Sequence, residues 1–256
     1  MMRPVNLIGR GRIGAAVAGW LEDSDSHALQ SVIGRTGKWR SAPLTIDAAG
    51  PQALRAHGEV LLSQGDLWSV GAAALIDDDL RGRLAEVAGR TCHELRLFTG
   101  WIAGPTLAPA GANARLHIEQ HAPRLGPAPG LLFSGSLREA AARFPDHLNT
   151  ATAAAMAGPG IDATTIALHC SEEDGPHIIR ARFEVPGQTI QTNVQFDDGP
   201  HPVAQAIIAA LEADKQSPFV TALANLSSNE SSAFVRQLAS TAIPCAVSVS
   251  RRSVSV

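Results

Sequence analysis

A glycine-rich segment near the start of the chain constrains the fold most. Gly9-Arg10-Gly11-Arg12-Ile13-Gly14 follows the apolar run 5–8 and opens an amphipathic stretch at 13–21, the strand-loop-helix context that a G-x-G-x-x-G motif requires. Gly9 allows a tight turn, Gly11 lets the backbone approach a pyrophosphate, and Gly14 lets the helix pack closely on the strand. The N–H groups at the start of the helix favour phosphate. The motif predicts a dinucleotide site with the cofactor-binding residues Gly9, Gly11, Arg12, Ile13 and Gly14.

The segment after the second predicted strand, 29–33, bears on the choice between NAD and NADP. An acidic residue there would accept a hydrogen bond from the ribose 2′-OH of NAD. The sequence has Arg35, Thr36 and Lys38 instead, which suit a 2′-phosphate. We therefore expect NADP to be preferred, or both cofactors to be accepted, with Arg35 and Thr36 in contact with the cofactor. The alternative is that these residues belong to a solvated loop.

Alternating apolar runs and amphipathic stretches predict an α/β chain. In the first half, strands are predicted at 5–8, 29–33, 67–70 and 95–98 and helices at 13–21, 51–64 and 77–88. This alternation indicates parallel βαβ units, and hence an N-terminal Rossmann-type doubly wound parallel sheet.

From residue 114 the pattern changes to period-2 alternation. Strands are predicted at 114–118, 165–169, 178–185 and 189–196, the last two joined by the turn Pro186-Gly187-Gln188, and helices at 136–142, 148–156 and 204–211. We therefore predict an NAD(P)-binding domain at 1–111, a second, α+β catalytic domain with an open mixed sheet at 112–216, and an unassigned C-terminal tail at 217–256.

Composition excludes several functional classes. The net charge of −3 and the scattered arginines give no basic field for nucleic acid. Neither a signal peptide nor an apolar run of about 18 residues is present, so we expect a soluble cytoplasmic protein without membrane contact. Cys92, Cys170 and Cys245 share no short metal-ligand spacing, and Glu172-Glu173-Asp174 is typical of a solvated loop. The sequence thus predicts reduced thiols and no metal site.

One block of the second half is similar to a known family. Leu132-Phe133-Ser134-Gly135-Ser136-Leu137-Arg138-Glu139-Ala140, followed by Phe144-Pro145 and Leu148-Asn149-Thr150-Ala151-Thr152, resembles the L-aspartate dehydrogenase family. Further likeness lies in Asp47-Ala48-Ala49-Gly50, Ser69-Val70-Gly71-Ala72 and Thr99-Gly100-Trp101-Ile102-Ala103-Gly104. The resemblance covers roughly residues 5–213. On this basis Ala49, Gly71 and Ala72 are further cofactor-binding candidates, and Thr99 and Gly100 are substrate-binding candidates.

The resemblance implies a reaction and its partners. The expected activity is NAD(P)-dependent oxidative deamination of L-aspartate to iminoaspartate, which hydrolyses to oxaloacetate and ammonia, and the reverse amination. Iminoaspartate also feeds NAD biosynthesis in some organisms with such enzymes. His177 matches the functional histidine of the family and Asn149 matches its asparagine. Dimers are common among relatives, so the partners expected are a small amino acid or oxo acid, ammonia and a second copy of the chain.

The proposed chemistry agrees with these residue types. A histidine, with an ordinary pKa of about 6.5, suits the acceptance of a proton from an ammonium group near neutral pH. His177 is therefore the catalytic candidate, the alternative being a packing histidine at the start of a strand. A dicarboxylate also needs cations or N–H donors, for which Arg124, Arg138 and His201 are available, and we take His201 as substrate-binding. Arg138 is more typical of a surface ion pair, and Asn149 also suits the N-cap of a helix.

Some positions depart from the family pattern. The family sequence Asn-Pro-Lys-Thr-Ser appears as His201-Pro202-Val203-Ala204-Gln205, a proline precedes His177, and Trp101 replaces a small residue. Two alternatives therefore stay open. One is a dehydrogenase of another amino or imino acid or of a semialdehyde. The other is a non-catalytic NADP-binding protein.

Overall fold

A parallel sheet of five strands forms the first half of the computed structural model, which describes residues 2–34, 40–98, 114–196 and 199–216. Its strands are β1 (Arg3–Ile8), β2 (His27–Ile33), β3 (Leu44–Asp47), β4 (Asp66–Ser69) and β5 (Leu95–Leu97), in the order β2-β1-β3-β4-β5. The helices are α1 (Arg12–Glu22), α2 (Pro51–Gln64) and α3 (Asp78–Thr91), with a short 3-10 helix at Ala72–Ile76. All pairings are parallel. The predicted Rossmann-type sheet is confirmed.

Helices cover both faces of this sheet. On one face, α1 places Val17 and Leu21 over Leu7 and Ile46 in a shared core. On the other face, α2 and α3 contribute a second core with the buried leucines Leu54, Leu61, Leu62, Leu80 and Leu84. Because strands covered on both sides bury every side chain, all four residues of β3 are buried, including the polar Thr45 and Asp47.

A mixed sheet of five strands forms the second half. Its elements are β6 (Arg115–Pro123), β7 (Gly130–Ser136), α4 (Leu137–Arg143), α5 (Asn149–Met156), β8 (Thr164–Ser171), β9 (His177–Val185), β10 (Gln188–Phe196) and α6 (Pro202–Gln216). The order is β10-β9-β6-β8-β7, with β6 and β8 parallel and the other pairs antiparallel. Gly187, with φ +83°, makes the predicted hairpin turn between β9 and β10. The open mixed sheet is therefore confirmed.

In the part of the chain that the structure describes, helices cover one face of the second sheet. Alternate residues such as Leu116, Ile118 and Ile166 pack under α4 and α5. The residues between them lie on the opposite side, which we call the open face; it carries Arg115, His117, Glu119 and His121 of β6, His169 of β8, and Arg180, Arg182 and Glu184 of β9, all exposed or half-buried.

Helix α6 returns to the first sheet. Its buried side chains Val203, Ala204, Ile207 and Leu211 belong to the same core as α1. Arg3 forms an ion pair of 2.7 Å with Asp214, and Trp20 donates a hydrogen bond of 3.4 Å to Glu212. The domain division predicted from the sequence places this helix with the second domain, whereas its apolar face completes the core of the first. Within the described ranges, no helix is both long and apolar enough to cross a membrane.

Candidate functional site

The glycine loop between β1 and α1 has space only for backbone at two of its positions. Gly9 has φ +98°, and a Cβ there would lie 2.9 Å from the backbone of Ala48 and Ala49. A Cβ on Gly14 would lie 2.2 Å from the Gly9 carbonyl oxygen. Both positions therefore require glycine, as the motif predicts.

The start of α1 is open toward this loop. Gly11 is the N-cap, a Cβ on it would meet nothing within 4 Å, and no side chain hydrogen-bonds to the first turn among the described residues. Arg12 and Ile13 are the first two residues of the helix, and its first turn has no acidic residue. Unpaired N–H groups beside open space suit a pyrophosphate. The geometry of the loop thus fits a dinucleotide.

A buried carboxylate connects the neighbouring loops. Asp47, 1% exposed at the end of β3, accepts hydrogen bonds from the Ser69 hydroxyl (2.7 Å) and the Ala49 N–H (2.9 Å). Ser69 Oγ in turn accepts from the Gly71 N–H at 2.9 Å. Burial raises the pKa of Asp47, and the bonds from Ser69 and Ala49 oppose that rise. This chain of bonds holds the predicted cofactor positions Ala49, Gly71 and Ala72 at the same edge of the sheet as the glycine loop.

His177 lies half-buried in a group of side chains that we call the cleft cluster: Arg12, His177, Phe196 and His201. The ring of His177 stacks on Phe196, with centroids 4.1 Å apart and planes inclined by 12°. Phe196 also meets His201 edge-on at 6.3 Å. The Gln120 amide approaches His177 Nε2 at 3.4 Å, a long hydrogen bond in which Gln120 donates. The stack sets the plane of the imidazole.

Both histidines of the cleft cluster have lowered pKa values. Burial is the main cause for His177, and the charges of His201 and Arg12 add to it. Burial and Arg12 act in the same way on the pKa of His201. Each ring is therefore held neutral near neutral pH. Phe196 and His201 connect His177 to the start of α6, which packs in one core with α1, the helix that follows the glycine loop.

His201 has a structural task at the start of α6. Its carbonyl accepts the Gln205 N–H at 3.1 Å, and its Nδ1 accepts the Val203 N–H at 3.2 Å. The ring thus caps the helix as an asparagine would at this position. In the neutral ring the proton then resides on Nε2, which leaves that atom as a donor.

Asn149 bridges the two halves of the molecule. Its Oδ1 accepts the N–H of Ala73, in the 3-10 helix just after Gly71 and Ala72, at 3.0 Å. The N-cap of α5 is Leu148, and no side chain caps that helix, so the N-cap alternative for Asn149 was wrong. Asn149 instead ties α5 to the loop that carries two cofactor candidates.

The other candidate cations are engaged elsewhere. Arg138 forms ion pairs with Asp162 (2.5 Å) and Asp78 (3.0 Å), which confirms the predicted surface pairing. Arg124 is exposed and pairs with Glu173 at 2.9 Å. The predicted site residues Arg35, Thr36, Thr99 and Gly100 lie outside the described residues, as do Trp101, Cys245 and the tail.

Sequence reasoning missed Asp47, Ser69 and Phe196. A signal existed for Phe196, because the predicted turn at 186–188 pairs Val185 with Gln188 and, by counting outward, His177 with Phe196. Asp47 and Ser69 each end a buried strand, and polar side chains in that position are a recognisable signal.

The chain is similar to several known proteins. The family model described as "Aspartate dehydrogenase, C-terminal" matches residues 109–216. L-aspartate dehydrogenase 2 of Bordetella bronchiseptica is 31% identical over 200 residues, covering 68% of this chain and 74% of that protein. L-aspartate dehydrogenase of Archaeoglobus fulgidus is 28% identical over 200 residues, covering 70% and 83%. The crystal structure of aspartate dehydrogenase from Thermotoga maritima has the same fold, with a TM-score of 0.67 at 16% identity over 85% of this chain and 98% of that one. The chain therefore belongs to the L-aspartate dehydrogenase family, a family of amino-acid dehydrogenases.

Proposed function

We propose that the chain catalyses the reversible NAD(P)-dependent oxidative deamination of L-aspartate to iminoaspartate, which hydrolyses to oxaloacetate and ammonia. The observation that carries this proposal is the series of contacts from His177 through Phe196 to His201, at the start of the helix α6 that packs on α1, the helix of the glycine loop. We propose that the cofactor loop and the proton acceptor act in one site. The names of the relatives support the choice of aspartate.

The glycine loop and the start of α1 would hold the dinucleotide. Gly9 and Gly14 leave space for backbone only, and the helix N–H groups would bind the pyrophosphate. Ala49, Gly71 and Ala72 line the adjoining loops. The cofactor supplies the hydride acceptor, or the donor in the reverse direction. The preference for NADP rests on Arg35 and Thr36 and stays a prediction.

His177 would hold and move the proton of the reaction. Burial and Arg12 keep its imidazole neutral, so it can accept a proton from the substrate ammonium. After it releases that proton to solvent, it can accept another from the water that attacks the imine. Phe196 keeps the ring in one plane. The 3.4 Å bond from Gln120 is weak enough to yield to substrate.

His201 and Asn149 would bind the substrate. With Nδ1 of His201 committed to the Val203 N–H, the Nε2–H is left to donate to a carboxylate. With Oδ1 of Asn149 committed to Ala73, its amide N–H groups are left as donors. We propose that Thr99 and Gly100 complete this set.

The test follows the oxidation of NADPH and NADH at about 340 nm with oxaloacetate and ammonia. We expect ammonia-dependent turnover in the wild type and a loss of about 100-fold or more in His177→Ala, since general base catalysis contributes about 10² to 10⁴. His117→Ala, an exposed histidine of the open face, is the matched control and should keep its rate. Turnover with another oxo acid but not with oxaloacetate would contradict aspartate as the substrate and assign the amino acid that corresponds to that oxo acid. Binding of NADPH without any turnover would favour the non-catalytic alternative.

A second pair of variants tests the cofactor loop by NADPH binding alone. Gly14→Ala places a methyl group against the Gly9 carbonyl and should abolish binding. Gly19→Ala, in the same helix, adds a methyl group where nothing lies within 4 Å and should bind as the wild type does. Equal affinity in both variants would contradict the assignment of the loop.

A further inference from the structure

Three side chains with metal-ligating atoms meet on the open face, apart from the cleft cluster. Glu119 and His121 are two residues apart on β6 and so point to the same side of the sheet. His169 is the direct neighbour of His121 on the parallel strand β8. One ligand atom of each residue lies within 4.8 Å of those of the other two. We call this group the face cluster.

We propose that the face cluster binds one divalent transition-metal ion of the Zn²⁺ type through two imidazoles and one carboxylate. Nitrogen and oxygen donors in this combination suit such an ion. In a tetrahedral zinc site the ligand atoms lie about 2.0 to 2.2 Å from the metal and about 3.3 Å from one another. The present separations, all within 4.8 Å, are close to that range. The proposal does not depend on the proposed function.

The sheet already arranges these ligands. His121 and His169 stack with centroids 4.3 Å apart and planes inclined by 12°. The Glu119 carboxylate bonds to His121 Nε2 at 2.5 Å, so oxygen and nitrogen already converge. Ligands on hydrogen-bonded strands lose little freedom when the ion binds.

Arg180 is the one competitor for Glu119 among the ion pairs of the described residues. Its guanidinium lies 3.4 Å from the same carboxylate oxygen, and its side chain is 51% exposed. A long, half-exposed side chain can turn toward water, and the metal ion then replaces it as the positive partner of Glu119. Beside the cluster, a groove of about 480 Å³ lined by His117, Glu119 and Arg180 gives space for a fourth ligand. Water or a small anion would complete the coordination.

The experiment titrates chelator-treated full-length protein with Zn²⁺ in a calorimeter. We expect one ion per chain in the wild type. Removal of a ligand in His121→Ala or His169→Ala should weaken binding beyond the factor of about 10 to 100 that outer-shell partners typically contribute. Glu119→Gln, which keeps the shape of the side chain, should lower affinity to a smaller extent. Co²⁺ in place of Zn²⁺ should give a visible absorption band that these variants lose.

Two controls separate the face cluster from other histidines. His117→Ala removes a histidine of the same strand and face, and His177→Ala removes one from the cleft cluster; both should bind Zn²⁺ as the wild type does. The proposal is overturned if the wild type binds no Zn²⁺, or if the control variants weaken binding as much as His121→Ala and His169→Ala. If a histidine variant fails to fold, shown by its circular dichroism, Glu119→Gln decides the question.

Discussion

The cleft cluster and the face cluster each contain two histidines, and their neighbours differ in charge. His177 and His201 lie beside an aromatic ring and the cation of Arg12, and burial together with that cation lowers the pKa of both. His121 instead bonds to a carboxylate, and that bond lowers the pKa of Glu119. The first setting suits a neutral proton acceptor and the second suits the coordination of a cation. The side chain is the same, and its neighbours determine what it can do.

Among changes to the neighbours of His177, the largest effect should follow removal of the ring that stacks on it. Phe196→Ala deletes the aromatic partner, and such pairs contribute about 0.5 to 1.5 kcal/mol beyond burial, so kcat should fall up to about tenfold. The acid limb of the pH profile should also move to higher pH, because a less buried His177 regains part of its ordinary pKa. Ile190→Ala, exposed on the same strand, is the control. If both variants gave the same profile, the stack would have no role in the reaction.

A smaller effect should follow removal of the cation from the cleft cluster. Arg12→Gln takes away a charge that lowers the pKa of His177 and His201, so the acid limb of kcat/KM should move to higher pH while kcat/KM falls a few-fold. Arg10→Gln, across Gly11, removes an arginine that bonds to the Val32 carbonyl oxygen and should leave the limb in place. If the pH profile of Arg12→Gln matched that of the wild type, the charge of Arg12 would have no effect on His177 or His201, which would contradict the prediction.

The smallest effect should appear in stability. The pKa of His177 is lower in the folded chain than its ordinary value of about 6.5, so its neutral form contributes stability above that pH, and this is lost as pH falls through 6.5 toward the folded pKa. His177→Gln should therefore lose less free energy of unfolding than the wild type between neutral and mildly acidic pH. Urea unfolding at several pH values measures this, with His117→Gln as the control. If the free energy of unfolding became less dependent on pH by the same amount in both variants, the effect would come from the loss of any imidazole and not from the burial of His177.

Local sequence patterns predicted most of the helices and strands, but not every strand and not which core each element packs in. The helix at Pro51–Gln64 begins and ends where the apolar spacing and Pro51 indicate. Strand β3, with four residues after Pro43, is too short to show a period, and the sequence analysis missed it. The apolar stripe of α6 predicted a helix but could not name its partner, because an apolar face fits any core of matching shape.

The residues of the candidate site also fall into those that the local sequence predicts and those that depend on how distant segments pair. The glycine loop could be predicted because its chemistry lies within six consecutive residues, and His177 came from the family resemblance. The bond between Asp47 and Ser69 could not be predicted, since the two residues are 22 positions apart and only the parallel pairing of β3 and β4 brings them together. The face cluster likewise joins residues of two strands that only the register of β6 and β8 places side by side.

The return of α6 to α1 has a consequence for the order of folding. The first core contains Val5 and Leu7 from the beginning of the described chain and Ile207 and Leu211 from its end, so it is a long-range assembly and costly in loop-closure entropy. During synthesis, the part of α1 that packs against α6 stays uncovered until residues 202–216 have emerged, which exposes it to aggregation or chaperones in that interval. Because His201 caps the same helix, closure of the core and delivery of this histidine to the cleft are one event.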